Sequence, residues 1–258
     1  MTAVFITGAS SGLGAALAAQ YAQQGAVLGL VGRDKDRLEL LRQGLPNASE
    51  HKTYVLDVTD HLALHAAAND FIQSVGVVNI VIASAGISVG TLTEYTDDLP
   101  VFARILETNV MGTVATFAPF ISNMKSHAKS QPCRLVGVAS VAGIRGLPGG
   151  EAYSASKAAV ISYCESLRLE LKASGIEVVT IVPGYIDTPM TEVNTYAMPF
   201  LMPAKAFALQ ASKAIDSGST YKVIPWQMGI VAKLMRLLPN FLYDLLFSNA
   251  PQKSRVKK

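Results

Sequence analysis

Thr7-Gly8-Ala9-Ser10-Ser11-Gly12-Leu13-Gly14 stands between the apolar run Ala3-Val-Phe-Ile-Thr7 and an alanine-rich stretch that reaches about Gln24. The β-branched and aromatic run reads as a strand, and the stretch after it as a helix that Gly25 ends as a left-handed cap. Gly8, Gly12 and Gly14 allow a tight turn and let the backbone approach a pyrophosphate held at a helix N-terminus. Their spacing is G-x-x-x-G-x-G, which differs from the usual G-x-G-x-x-G, and a glycine-rich turn alone is weak evidence. With a strand before it and a helix after it, the signal becomes strong.

The same alternation continues along the chain. Strands are expected at Val27–Val31, Thr53–Leu56, Asn79–Ala83, Arg134–Val138, Glu177–Val182 and Tyr221–Ile224. Helices are expected at Lys35–Arg42, from Asp60 as N-cap to Ser74, along a long stretch ending about Lys125, and at Ala152–Ala173. Strands that are apolar on both faces and alternate with helices predict an α/β fold, a doubly wound parallel sheet covered on both faces. No repeat or linker divides the 258 residues, so residues 1–258 read as a single dinucleotide-binding and catalytic domain.

Composition agrees with that reading. Half of the residues are apolar and 16% are charged, which suits a large buried core and argues against disorder. Of the net charge of +3, four positive charges (Lys253, Arg255, Lys257, Lys258) lie in the last six residues, leaving the body at −1. Such a distribution is poor evidence for nucleic-acid binding. Cys133 and Cys164 are too few and too isolated for a metal site and read as inert thiols, so no metal is expected. The N-terminus lacks the basic region of a signal peptide, and polar residues interrupt its apolar run. A cytoplasmic protein is therefore expected.

Chemistry enters with Tyr153-Ser-Ala-Ser-Lys157, which puts a phenol and an ammonium on one helical face. A phenol with a pKa of roughly 10 is a poor base at neutral pH. A fixed ammonium favours the phenolate, and a shift of about two to three units corresponds to roughly 3–4 kcal/mol. The pair can then move a proton to or from a substrate oxygen. That spacing is common on solvated helices, so the surroundings must supply the rest. Ser140 ends the fifth strand, where open α/β sheets bind ligands, and can donate to a carbonyl oxygen.

Thr7 to Gly14, Asp57-Val58, Asn109, Ser140, Tyr153 with Lys157, and Pro183-Gly184 through Thr188, in this order and spacing, resemble the short-chain dehydrogenase/reductase (SDR) family over nearly the whole chain. The resemblance implies a Rossmann-type sheet of seven strands in the order 3-2-1-4-5-6-7. It implies a catalytic set of Ser140, Tyr153, Lys157 and Asn109, the last holding a water that links the lysine to solvent. It implies cofactor contacts from Gly8, Ser10, Ser11, Gly12, Leu13, Gly14, Ala85 and Gly86, with Asp57 on the adenine amino group and Val58 on the ring. Lys157 would also hold the ribose beside Tyr153. Pro183, Gly184, Ile186 and Thr188 would hold the nicotinamide. Ser84 departs from the family's Asn-Ala-Gly, which touches sheet and ribose stabilisation only. Gly32 replaces the ribose-reading acid and is followed by Arg33, whose guanidinium suits a 2′-phosphate, so NADP is favoured with NAD as the alternative. Asp34 reads as a helix cap or a ribose contact. A homodimer or homotetramer is expected by resemblance alone.

Two segments bear on the substrate. Residues 189–216 begin with a methionine-rich apolar loop (Met190, Met198, Met202) that reads as a lid. Residues 225–258 form an apolar then basic extension in place of the family's common ending. Its stripe Val231, Leu234, Met235 and Leu238 is expected to pack on a partner or close the pocket, or, with the basic tail, to touch an anionic membrane. Together these features lead to an NADP-dependent oxidoreductase that interconverts a carbonyl and an alcohol on a fairly apolar, lipid-like small molecule. The alternative is a nucleotide-binding regulatory or scaffold protein without significant turnover.

Overall fold

Every apolar run named above becomes a strand in the computed structural model, which describes residues 1–248 together with 253 and 255. β1 (Ala3–Thr7), β2 (Val27–Gly32), β3 (Lys52–Val55), β4 (Ile80–Ala83), β5 (Cys133–Val138), β6 (Ile176–Pro183) and β7 (Tyr221–Ile224) form one sheet. All neighbours are parallel and the order is 3-2-1-4-5-6-7, as the resemblance implied. The order reverses between β1 and β4, and this is where such sheets open a crevice for ligands at their carboxyl ends.

Both faces are covered because both faces are apolar. Val4, Ile6, Leu28 and Leu30 pack under α1 (Gly12–Gln23) and α9 (Ala204–Asp216), whose Leu17, Tyr21, Phe207 and Ile215 are buried. The Tyr21 hydroxyl donates to Asp216 at 3.2 Å and joins those two helices. On the other face, Phe5 meets Phe120 and Phe71 with centroids 4.8 and 5.6 Å apart. Gly29 leaves room for that cluster: a Cβ there would stand 2.6 Å from the Phe5 ring. α3 (His61–Val75) and α7 (Glu151–Leu171) complete this layer. Cys133 and Cys164 are free and buried within it, and burial pushes the Cys164 thiol up to about 11.

The long helix expected to end near Lys125 is not continuous. α4 (Leu99–Leu106) runs into a wider π turn at Glu107–Met111, followed by α5 (Gly112–Phe117), a tight turn containing Pro119, and α6 (Ile121–His127). The Thr113 hydroxyl takes the Asn109 carbonyl at 2.8 Å, a side-chain substitute for the regular backbone ladder.

The apolar extension folds as α10 (Trp226–Leu237) and α11 (Asn240–Phe247). Its orientation leaves part of the expected stripe on the surface. Met228, Gly229 and Ala232 are the residues turned inward, while Val231 and Leu234 are exposed and Met235 and Leu238 half-buried. Among the described residues no helix is long and apolar enough to cross a membrane.

Candidate active site

A cleft opens along the carboxyl ends of β1, β2, β4, β5 and β6. Every residue assigned to the cofactor from the sequence lines it, as do Ser140, Tyr153 and Lys157. The glycine turn forms its floor. Gly8 has φ +73 and lies against Ala85, and a Cβ on Gly14 would come within 2.2 Å of the Gly8 carbonyl oxygen. Ser11, the N-cap of α1, makes no side-chain capping bond, and no acidic side chain stands in the first turn. The first N–H groups of α1 therefore meet the cleft without a side-chain acceptor, as a phosphate site requires.

At the adenosine end, Gly32 sits so close to Ser10 that a Cβ would stand 3.0 Å from its hydroxyl. A side chain at that position would press on Ser10, which would have to give by a few tenths of an ångström. Arg33 is largely exposed and its Nη1 donates to Asp57 Oδ2 at 3.4 Å. The other Asp57 oxygen accepts from the Thr59 N–H and hydroxyl at 3.1 and 3.0 Å. Burial pushes the Asp57 carboxyl up, but these donors and Arg33 outweigh it and hold the group below its usual range. Asp34 caps α2 (Lys35–Gly44) by accepting from the Arg37 N–H at 3.0 Å, so its carboxylate serves the helix.

The four catalytic candidates converge at the other end. Lys157 Nζ donates to the Val138 carbonyl at 2.9 Å and lies 5.8 Å from the Tyr153 ring centroid. Burial holds the lysine down at about 8. Tyr153 departs from the expected direction: burial pushes its phenol up, and the Ser140 hydroxyl pulls the other way. The ammonium is turned to the backbone and is itself desolvated, so Lys157 does not dominate the phenol. Ser140 is buried, and its Oγ accepts from the Ala142 N–H at 3.2 Å.

Asn109 stands behind the cleft wall and not on it. Its Oδ1 accepts from the Ile87 N–H at 2.8 Å, and its Nδ2 donates to the Ile87 carbonyl at 3.0 Å and to Ser156 Oγ at 2.9 Å. Ser156 donates in turn to the Tyr153 carbonyl at 2.7 Å. The amide thus clamps the Gly86–Ile87 loop to the helix carrying Tyr153 and Lys157. Its main-chain carbonyl accepts from the Thr113 hydroxyl at 2.8 Å.

Thr188 caps the short α8 (Pro189–Glu192) and shares a hydroxyl network with Thr191. Met190 and Thr191 line the cleft, and Tyr196 lies close enough to Tyr153 for one phenol's charge to act on the other. Of the segment 189–216 read as a lid, Pro189, Met190 and Thr191 line the cleft, whereas Ala204–Asp216 is α9 and packs against the sheet. The cleft also takes in Leu56, Ile87, Thr108, Val138 and Ala139, which sequence reasoning passed over. Most stand next to a residue it named, and that adjacency was the only available signal. Among the described residues no group of three or more His, Cys, Asp or Glu side chains is placed to hold a metal.

A model of the short chain dehydrogenase family matches residues 2–198. The chain belongs to this family. An uncharacterized oxidoreductase of Myxococcus xanthus is 35% identical over 240 residues, 93% of each chain. A bovine (Bos taurus) dehydrogenase/reductase SDR family member 7B is 37% identical over 196 residues, 73% of this chain and 59% of that one. Among solved structures, a Sphingobium yanoikuyae short-chain dehydrogenase in complex with NADPH superimposes with a TM-score of 0.78 at 25% identity, covering 98% of this chain and 97% of that one. A 3-ketoacyl-(acyl-carrier-protein) reductase from Brucella melitensis complexed with NADH gives 0.77 at 27% identity, with 86% and 94% covered. This member of the family is an oxidoreductase whose glycine turn, uncapped α1 and open cleft fit a nicotinamide dinucleotide.

Proposed function

We propose that this SDR protein is an NADP-dependent carbonyl reductase or alcohol dehydrogenase acting on a fairly apolar, lipid-like small molecule. The observation that carries the reading is Ser140, Tyr153 and Lys157 lining the same cleft as the glycine turn. When bound, the dinucleotide supplies or accepts the hydride. Ser140 donates to the substrate oxygen and fixes the carbonyl beside the phenol. Tyr153 gives that oxygen its proton, or takes it back in the oxidative direction. A phenol raised by burial is protonated at neutral pH, which suits the donor role. Lys157, with a pKa of about 8, is cationic at neutral pH, stabilises the phenolate left behind and holds the ribose. Asn109 keeps the Ile87 loop and α7 in register, and, as the family resemblance implies, holds the water through which the proton is restored.

Two features support the finer parts of the reading. NADP is favoured because no acid stands at Gly32 while the Arg33 guanidinium stands exposed at the cleft's edge. An apolar substrate fits the Ile87, Pro189 and Met190 lining and the lid above it. Access from a lipid surface follows from α10 and α11, which expose Trp226, Ile230, Leu234, Leu237, Phe241 and Leu245 with Lys233 and Arg236 beside them.

The test is a carbonyl and alcohol panel of graded chain length with NADPH and NADH, run on the wild type and Tyr153→Phe. Turnover of long-chain carbonyls with NADPH, lost in the variant by at least about a hundredfold while dinucleotide affinity persists, is the expected result. A preference for NADH overturns the Arg33 reading. Dinucleotide binding with no turnover across the panel favours the regulatory alternative, and near wild-type turnover in the variant sinks the mechanism.

A further inference from the structure

Three stretches far apart in sequence meet beside the catalytic end of the cleft, and the last described residues of the chain bind them together. Arg255 donates from Nε and Nη2 to the two oxygens of Asp98 at 2.7 and 2.9 Å, and its guanidinium lies 3.6 Å from the centroid of the Tyr95 ring. Lys253 Nζ donates to Ser88 Oγ at 2.8 Å, and Arg255 pairs with Gly90 as a short parallel bridge. The next residue, Thr91, forms the same kind of bridge to Gly150, and its N–H donates to the Gly149 carbonyl at 3.3 Å. The Thr93 hydroxyl then donates to Glu151 Oε1 at 2.9 Å.

These contacts form a chain from the tail to the chemistry. The segment 86–98 starts at Gly86 and Ile87 in the cleft wall and ends at Asp98, immediately before the helix that leads to Asn109. Its other neighbour, Gly149 to Glu151, opens α7 two residues ahead of Tyr153. Asp98 is 7% exposed and also accepts the Leu92 N–H at 2.9 Å. An exposed ion pair would add little, but here one partner is buried, the fork is bidentate and the guanidinium is stacked. Removing the cation would leave a buried carboxylate without its partner at the hinge of the segment. The basic residues read from sequence as a lipid-binding tail therefore include two, Lys253 and Arg255, that are committed within the protein; Lys257 and Lys258 lie outside the described residues.

We infer that Arg255 is a positioning residue: with Lys253 it straps residues 88–98 against the start of α7 and so shapes the substrate end of the cleft. This rests on the carbonyl reading above for what the cleft receives, but the strap itself does not. Arg255→Ala and Arg255→Lys in the full chain, alongside wild type, test it by hydrogen exchange, dinucleotide affinity and steady-state kinetics on the best carbonyl of the panel. In Arg255→Ala, exchange should quicken at 88–98 and 149–153, and KM for the carbonyl should rise about tenfold or more. Dinucleotide affinity should stay within about twofold, and Arg255→Lys, which keeps the charge without the fork, should fall between. Unchanged exchange at 149–153 overturns the strap. A variant with a lower Tm but wild-type KM shows Arg255 to be structural only and overturns its positioning role. If the wild type turns over no carbonyl, the exchange result still decides the strap, and only the reading of the reaction fails.

Discussion

The carboxyl edge of the sheet and the α10–α11 pair use similar apolar and small residues in opposite ways. At the sheet edge, small residues are surrounded: Gly14 faces the Gly8 carbonyl, Gly32 faces Ser10, and the apolar side chains of β1 are all buried. On α10, the residues after Trp226 are apolar on two sides, and only Met228, Gly229 and Ala232 find the body of the protein. Leu234 and Leu237 are 60% and 79% exposed. The outer face of this pair therefore carries exposed apolar side chains beside Lys233 and Arg236. The sheet edge is constrained by its own neighbours; the helical pair is held by a few anchors. Those anchors are Arg145, which donates to the Arg236 and Leu238 carbonyls at 3.4 Å, and the Tyr243 hydroxyl, which donates to the Gly146 carbonyl.

Substitutions should separate the two regions sharply. The largest effect is expected at Gly14→Ala. The added Cβ would stand 2.2 Å from a backbone oxygen that cannot rotate away. A loss of about 3 kcal/mol of stability, together with loss of dinucleotide binding, is expected by denaturant titration and nucleotide fluorescence. A variant that still binds the dinucleotide would show that the turn has slack the geometry denies.

Next comes Lys157→Met, where function and stability oppose each other. Burial lowers the lysine from its ordinary 10.5 to about 8. Below about pH 8 the folded and unfolded chains both carry the proton, and the folded state bears the whole desolvation cost. Between pH 8 and 10.5 the unfolded chain binds a proton that the folded one has released, so the cost declines as pH rises. The methionine variant should gain stability at pH 7, on the order of 3 kcal/mol, and the gain should shrink toward pH 10.5. Urea unfolding at several pH values reads this directly. A gain independent of pH would mean that folding does not shift the Lys157 pKa.

The smallest effect on the fold is expected at Leu234→Ser with Leu237→Ser. Stability should move by no more than about 0.5 kcal/mol per site, since neither side chain is packed. Pelleting with anionic phosphatidylserine vesicles should nonetheless fall several-fold relative to wild type. Equal pelleting removes α10 from the membrane account, and a large loss of stability would mean that the outer face is covered within the protein.

Much of this architecture was legible because it depends on local patterns. Seven apolar runs separated by helical periods leave few topologies once crossovers are right-handed. Glycines between a strand and a helix specify a turn by sterics that act within a few residues. The site residues at strand ends were assigned mostly from the family resemblance, and they meet because strands ending on one edge bring their next residues together. Asn109 shows where that reach ends. Its type and place drew attention to it, but its partners, Ile87 and Ser156, are 22 and 47 residues away, and nothing local marks them.

By itself the sequence determined the strand set and the glycine turn, while the order of the sheet and the site residues came from the family resemblance. Period, β-branching and glycine sterics act along the chain, so they can be read along it. The tertiary structure alone decided the direction in which Tyr153 is shifted, the outward turn of α10 and the strap of Arg255 across Asp98. Each of these depends on desolvation or on a partner brought from a distant segment, and burial is a property of the assembled fold.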